Sequence, residues 1–247
     1  MLELTADTRV DLARSGARHG LGLFETIRIQ HGEPRWLELH LERLTLGCAF
    51  LGMEAPPSAD AVRAFVDNHT DCASLDRGIL RLLAVDDALR VFVEPLTWSS
   101  PQTASLGRSL ETTRFSGNPL NRFKTLSYLE NLRLSQEAAR RGLFEVVALN
   151  ERGQVSDGGR TSVFVVRAGR VFTPPLGDGA LPGIARRLLV ESAGVSEASL
   201  SWGDLEGAEG VFLASALRGV IPVDRVEGGG ALGVDHPAIQ RAMDMLA

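Results

Sequence analysis

The spacing of apolar and polar positions changes several times along the chain. In LFETIRIQ (Leu23–Gln30) the two kinds alternate, which predicts a half-buried strand, and His31-Gly32-Glu33 reads as the turn after it. Leu37, Leu41, Leu44 and Ala49 then fall near helical spacing, and PSADAVRAFVDNH predicts a second helix with Ser58 as its N-cap. GILRLLAV and ALRVFVEP are β-rich runs flanking Asp86-Asp87, the pattern of a tight hairpin. Residues 95–121 hold Pro, Ser, Thr and Gly with weak periodicity, and their first half reads as a domain connection. A helix is predicted over roughly residues 125–141, with Leu126, Leu129 and Leu132 near one face and Gly142 as its stop. Strand signals follow in LFEVVALN, TSVFVVR and RVFTPP, separated by ERG and AGR turns. LPGIARRLLVESAG opens a helix behind Pro-Gly, and GVFLASALRGVIPV reads as a strand that turns and resumes. With no repeat of 20–50 residues, the expectation is an α+β protein of two domains. A small N-terminal α/β domain covers 1–105, and a larger strand-rich domain covers 106–247.

Composition narrows the function classes. A net charge of −5 and a pI near 5.6 argue against a general nucleic-acid or anionic-membrane binder. The N-terminal MLELTADTRVDLARSG has no apolar run of the secretory type, and no stretch approaches the ~18–20 apolar residues of a membrane span. Cys48 and Cys72 have no metal or disulfide spacing, and the histidines include no HxxxH pair. A cytoplasmic protein without a metal is expected. Of the 26 lysines and arginines only one is a lysine, Lys124. Coding drift in a high-GC genome would account for arginine carrying the other charges. Arginine cannot shed its proton or form an imine, whereas a desolvated lysine can do both. Lys124 is therefore either a leftover surface charge or an amine kept for chemistry.

Four segments bear on that choice: GLGLFETIRI…HLERL, KTLSYLENLRLSQEAARRGLFEVVALNERGQVSDGGRTSVFVV, TPPLGDGALPGIARRLL and FLASALRGVIPV. In this order and at these intervals they resemble the class IV, fold-type IV pyridoxal-phosphate enzymes, from about Gly20 to Val223 with only the middle missing. The group contains branched-chain aminotransferases, D-amino acid aminotransferases and aminodeoxychorismate lyases. The resemblance implies that Lys124 holds pyridoxal 5′-phosphate covalently and serves as general base and acid. It implies that Arg43 in HLERL binds the phosphate, for which a guanidinium fork is suited; without a cofactor Arg43 would read as a solvent-facing arginine beside Glu38 or Glu42. Ile184 and Ala185 match a helix start whose backbone N–H groups meet the phosphate, although the family more often has threonine at the position of Ala185. Ser215 and Ala216 match a second phosphate-binding turn. Asp157 falls where the family usually has glutamate paired with the pyridine nitrogen; by itself SDGG reads as a turn.

Substrate contacts are less defined. After GILRLLAV the chain lacks the longer Gly- and Arg-containing segment that in the family helps to bind a carboxylate. Arg81, Arg90 and Arg122 are the candidate replacements, each with strand-surface charge as the alternative. His19 takes a position where the family often has an aromatic facing the substrate. Phe24 lies in the LFETIR strand, and Tyr128, one helical turn past Lys124, is expected to pack. LFETIR, KTLSYLEN and SAL resemble the lyases more than the branched-chain enzymes. The expected activity is therefore that of an aminodeoxychorismate lyase, releasing pyruvate and leaving 4-aminobenzoate on the route to folate. The alternatives are a D-amino acid or branched-chain aminotransferase and a non-catalytic relative. The resemblance also implies a homodimer and an amino-acid-like small-molecule substrate. The GxG at Gly20–Gly22 precedes a strand, so it lacks the context of a dinucleotide site.

Overall fold

The computed structural model describes residues 1–247, with Ser15 described by its backbone alone. Its contacts divide the chain into two units, one of residues 1–99 with 123–128 and one of residues 100–122 with 129–247.

The first unit holds β1 (Glu3–Thr5), α1 (Ser15–His19), β2 (Gly22–Gln30), β3 (Glu33–Pro34), α2 (Leu37–Leu51), α3 (Ala59–His69), β4 (Arg77–Val85) and β5 (Ala88–Pro95). Its five strands run in the order β1-β5-β4-β2-β3, antiparallel except for β1 beside β5. The alternation seen in the sequence turns Leu23, Ile27 and Ile29 of β2 toward Leu37, Leu41, Leu44 and Cys48 of α2, all buried. Cys48, not Ala49, completes the helical stripe. Each fully buried leucine or isoleucine contributes roughly 1.5–3 kcal/mol. Ser58 caps α3 as expected, its hydroxyl accepting from the Ala61 N–H. The Asp86-Asp87 hairpin forms too, with Val85 opposite Ala88 and Asp86 at φ 58°.

Residues 123–128 depart from the sequence reading: they are not the first turn of a helix. The Phe24 N–H donates to the Lys124 carbonyl and the Leu126 N–H to the Gly22 carbonyl, both at 2.9 Å. Thr125 thus bridges Leu23 like a strand residue. Glycine is required at 22, where a Cβ would lie 2.6 Å from the Ala84 oxygen and 2.7 Å from Leu126 Cδ1.

The second unit holds β6 (Ala104–Arg114), α4 (Leu129–Arg140), β7 (Glu145–Asn150), β8 (Val155–Gly158), β9 (Ser162–Arg167), β10 (Arg170–Thr173), α5 (Ile184–Ser192), β11 (Ser196–Glu197), α6 (Trp202–Glu206), β12 (Gly210–Ser215), β13 (Gly219–Val226) and α7 (Pro237–Leu246). Its eight strands run β11-β10-β9-β12-β13-β6-β7-β8. Val163, Val165, Val211, Leu213, Ile221 and Val223 form the sheet side of a core that Leu200, Trp202 and Leu205 complete. Three expectations are corrected. The weakly periodic stretch contains β6, an 11-residue strand whose register shifts between Arg108 and Thr113, which breaks the alternation. By contacts, the main segment of the first unit ends at residue 99. SDGG is mostly strand β8 rather than a turn. On α4 the buried positions are Leu134, Glu137 and Ala138, while Leu129 and Leu132 are exposed. Among the described residues no helix is long and apolar enough to cross a membrane.

Candidate active site

Chemistry-bearing side chains gather separately in each unit. In the first, Lys124 is half-buried, with Nζ 4.1 Å from the Phe24 ring centroid and 4.8 Å from that of Tyr128. The two rings meet edge to face, their centroids 5.0 Å apart. An amine between two aromatic faces is held in position when charged. Both rings line a cavity of about 260 Å³ with Glu25, Arg81, Leu82, Leu83, Phe92 and Leu126. Strand register explains the lining: Phe24 pairs with Leu83, Thr26 with Arg81, and Arg81 with Phe92. Among the described residues, Arg81 is the one arginine in that wall. Its Nε and Nη2 donate to Glu94 Oε1 at 2.9 and 2.5 Å, and Nη1 lies 3.4 Å from Thr26 Oγ1.

Glu25 breaks the apolar stripe of β2, standing between Leu23 and Ile27 in the core-facing register and only 1% exposed. It accepts from Arg43 Nε at 2.8 Å and Nη2 at 2.6 Å, and its Oε2 lies 2.6 Å from His40 Nδ1. Burial pushes the carboxyl up, but Arg43 and His40 more than offset that and hold it at about 2. Burial also lowers His40, against the pull of Glu25, with Arg43 and Lys124 adding to the fall. The consistent state is a neutral imidazole donating from Nδ1 to an ionised Glu25. His40 Nε2 is buried and, among the described residues, has no hydrogen-bond partner.

In the second unit, Asp157 on β8 is buried. Its Oδ2 accepts from the Leu181 N–H and its Oδ1 from the Gly158 N–H, each at 3.2 Å. Burial raises its carboxyl to about 6, opposed by Arg114, these N–H donors and Arg186. Arg114, itself buried, is oriented by Glu130 and Asn131 at 2.9 and 3.3 Å. The buried Glu145 accepts from the Thr161 hydroxyl and the Arg160 N–H, which fixes the turn after Asp157. Leu181 leads into α5, whose N-cap Gly183 supplies no side-chain cap, so the first N–H groups at Ile184 and Ala185 lack one. A Cβ on Gly183 would lie 3.2 Å from Ser162 Oγ, and Ser162 pairs with Ala214. The start of α5 and the Ser215-Ala216 turn therefore share one end of the sheet. Ser215 Oγ accepts from the Arg218 N–H at 3.2 Å, which leaves its own proton to donate.

The structure brings some of the sequence candidates into these clusters and leaves others apart from them. Arg43 is largely buried against Glu25 and is not solvent-facing. Of the substrate candidates, Phe24 and Arg81 line the cavity. Arg90 instead donates to the backbone carbonyls of Arg9 and Val85, and His19 ends α1 exposed. Arg122 is exposed in a short turn of the second unit. Tyr128 is not on a helix, and it flanks the amine as well as packing on Phe24. Glu25, His40 and Arg114 were missed. A glutamate in a core-facing strand register, and a histidine three positions before an arginine on a helix, were the available signals.

Residues 22–226 match the amino-transferase class IV family, and the chain belongs to it. It is a pyridoxal-phosphate-dependent enzyme of that class. The aminodeoxychorismate lyase of Bacillus subtilis (strain 168) is 25% identical over 233 residues, 86% of this chain and 80% of that protein. The branched-chain aminotransferase of Thermoproteus uzoniensis, solved with norvaline, superposes with a TM-score of 0.87 at 22% identity, covering 97% of this chain and 89% of that one. A hypothetical aminotransferase from Mycobacterium tuberculosis, in its pyridoxal-phosphate-bound form, gives a TM-score of 0.81 at 24% identity, covering 100% and 92%.

Proposed function

We propose that this enzyme is an aminodeoxychorismate lyase, converting 4-amino-4-deoxychorismate to 4-aminobenzoate and pyruvate. The observation that carries the reading is the cavity beside Lys124: aromatic at Phe24, Tyr128 and Phe92, with Arg81 in its wall. Flat aromatic faces suit a six-membered unsaturated ring, and a guanidinium suits its carboxylate. The likeness to the Bacillus subtilis lyase supports the same choice.

The side chains present fit pyridoxal 5′-phosphate by their chemistry. Arg43, the uncapped N–H groups at Ile184 and Ala185, and the Ser215-Ala216 turn supply phosphate donors. Asp157, titrating near 6, can ionise opposite a protonated ring nitrogen. Lys124 supplies the amine for covalent attachment. When bound, the cofactor withdraws electrons from the substrate carbon next to the amine. Lys124 removes the proton from that carbon and returns one as pyruvate leaves. Arg81 orients the ring carboxylate, and Phe24 and Tyr128 hold the amine over the cavity.

One observation favours a second reading, a branched-chain or D-amino acid aminotransferase: Leu82, Leu83 and Leu126 make much of the cavity apolar, and Glu94 partly neutralises Arg81. We also propose a homodimer, supported by the exposed Leu110, Leu129 and Leu132. The test is to supply 4-amino-4-deoxychorismate and measure pyruvate and 4-aminobenzoate in equal amounts. Lys124→Ala should abolish both products, and borohydride reduction, which should fix the cofactor to the unsubstituted protein, should leave this variant unlabelled. Amino transfer to a 2-oxo acid with no pyruvate release would replace the lyase with the second reading.

A further inference from the structure

We propose that Glu25 is a positioning residue for Arg43: it binds one edge of the guanidinium and thereby fixes the direction in which the other edge presents its N–H groups to a phosphate. The inference rests on the reading above that Arg43 receives the cofactor phosphate. Burying a carboxylate in an apolar stripe is costly, and an aliphatic side chain at position 25 would continue the pattern of Leu23, Ile27 and Ile29. What holds Glu25 there is a two-point fork from Arg43 Nε and Nη2, at 2.8 and 2.6 Å, with His40 Nδ1 on the same Oε2 at 2.6 Å.

His40 and Arg43 are three residues apart on α2, so one helical face grips the carboxylate from two directions. The carboxylate cannot rotate without losing a bond to one of them. A guanidinium has five N–H donors. The fork engages Nε and Nη2 together, so Glu25 fixes the plane of the guanidinium and the direction of its far edge. Glu25 also cancels the charge of Arg43. An arginine kept only to attract an anion would be weakened by that neighbour, whereas one kept for directed hydrogen bonds is improved by it.

The two roles predict opposite signs for Glu25→Gln. Removing a negative charge near a phosphate dianion should tighten binding if Glu25 is only a counter-charge. Removing half of the fork should loosen it if Glu25 positions Arg43. The experiment titrates the cofactor-resolved full-length protein with pyridoxal phosphate and, separately, with pyridoxal, which lacks the phosphate, following absorbance. Glu25→Gln should weaken pyridoxal phosphate by about tenfold, the scale of one charge-assisted hydrogen bond, and leave pyridoxal within about twofold. Combined with Arg43→Ala it should add little to the loss from Arg43→Ala alone, because the pair acts as a unit. His40→Gln, which keeps the fork and removes the second support, should give a smaller loss confined to the phosphorylated ligand, and it decides the matter if Glu25→Gln does not fold. Unchanged or tighter pyridoxal phosphate binding in the soluble variants would overturn the proposal. If Arg43→Ala leaves pyridoxal phosphate affinity intact, it is the assignment of Arg43 to the phosphate that fails.

Discussion

Asp157 shows what a single buried carboxyl does to the whole protein. Burial raises it from 3.8 to about 6, so the folded state without cofactor holds this proton more tightly than the unfolded chain does. Between these two values the unfolded state binds fewer protons, and stability falls as pH rises through the window. The loss is complete above pH 6 and amounts to at most about 3 kcal/mol. The urea midpoint of the cofactor-free protein should therefore drop between pH 4 and 7, and Asp157→Asn should flatten that decline. At this scale the sequence was partly legible. A lone lysine among arginines stands out by its chemistry, and the resemblance singled out Arg43 and Asp157, both of which the structure draws largely out of solvent. Glu25 could not be recognised as a partner of Arg43, because the two are 18 positions apart and meet only when α2 lies on β2.

Elements were readable where a local rule and the tertiary environment agree. Ser58 caps α3 with its own hydroxyl, and Ser58→Ala should cost about 1 kcal/mol of stability, measured as a shift in urea midpoint with no change in cofactor affinity. The helix after Lys124 illustrates the opposite case. Leu126, Leu129 and Leu132 suggest an apolar face, yet the backbone around Leu126 is spent on hydrogen bonds to β2, so α4 starts at Leu129 and buries Leu134 and Ala138 instead. β6 was hidden for a different reason. Its register shift and the exposed polar positions of ASLGRSLETTR remove the period that identifies a strand.

For the whole molecule, the α+β class and its smaller and larger sheets followed from the order of strand and helix signals. The pairing order of eight strands did not, because long-range partners leave no trace in local spacing. Leu129 and Leu132 are 70% and 51% exposed, more apolar surface than one helix face ordinarily leaves to water. If this surface joins two copies, Leu129→Glu with Leu132→Glu should move the sedimentation coefficient from dimer to monomer while the circular dichroism spectrum is retained. The same substitutions leaving the sedimentation coefficient unchanged would place the contact elsewhere.

Residues 123–128, with Lys124 among them, are grouped with the first unit, although more than twenty residues of the second come before them in the chain. A gene fragment ending at codon 99 would encode every strand of the smaller sheet and still lack the reactive amine. Recombination that exchanged one half of this gene for another would thus separate the lysine from Phe24 and Arg43, so the two units have to be inherited together.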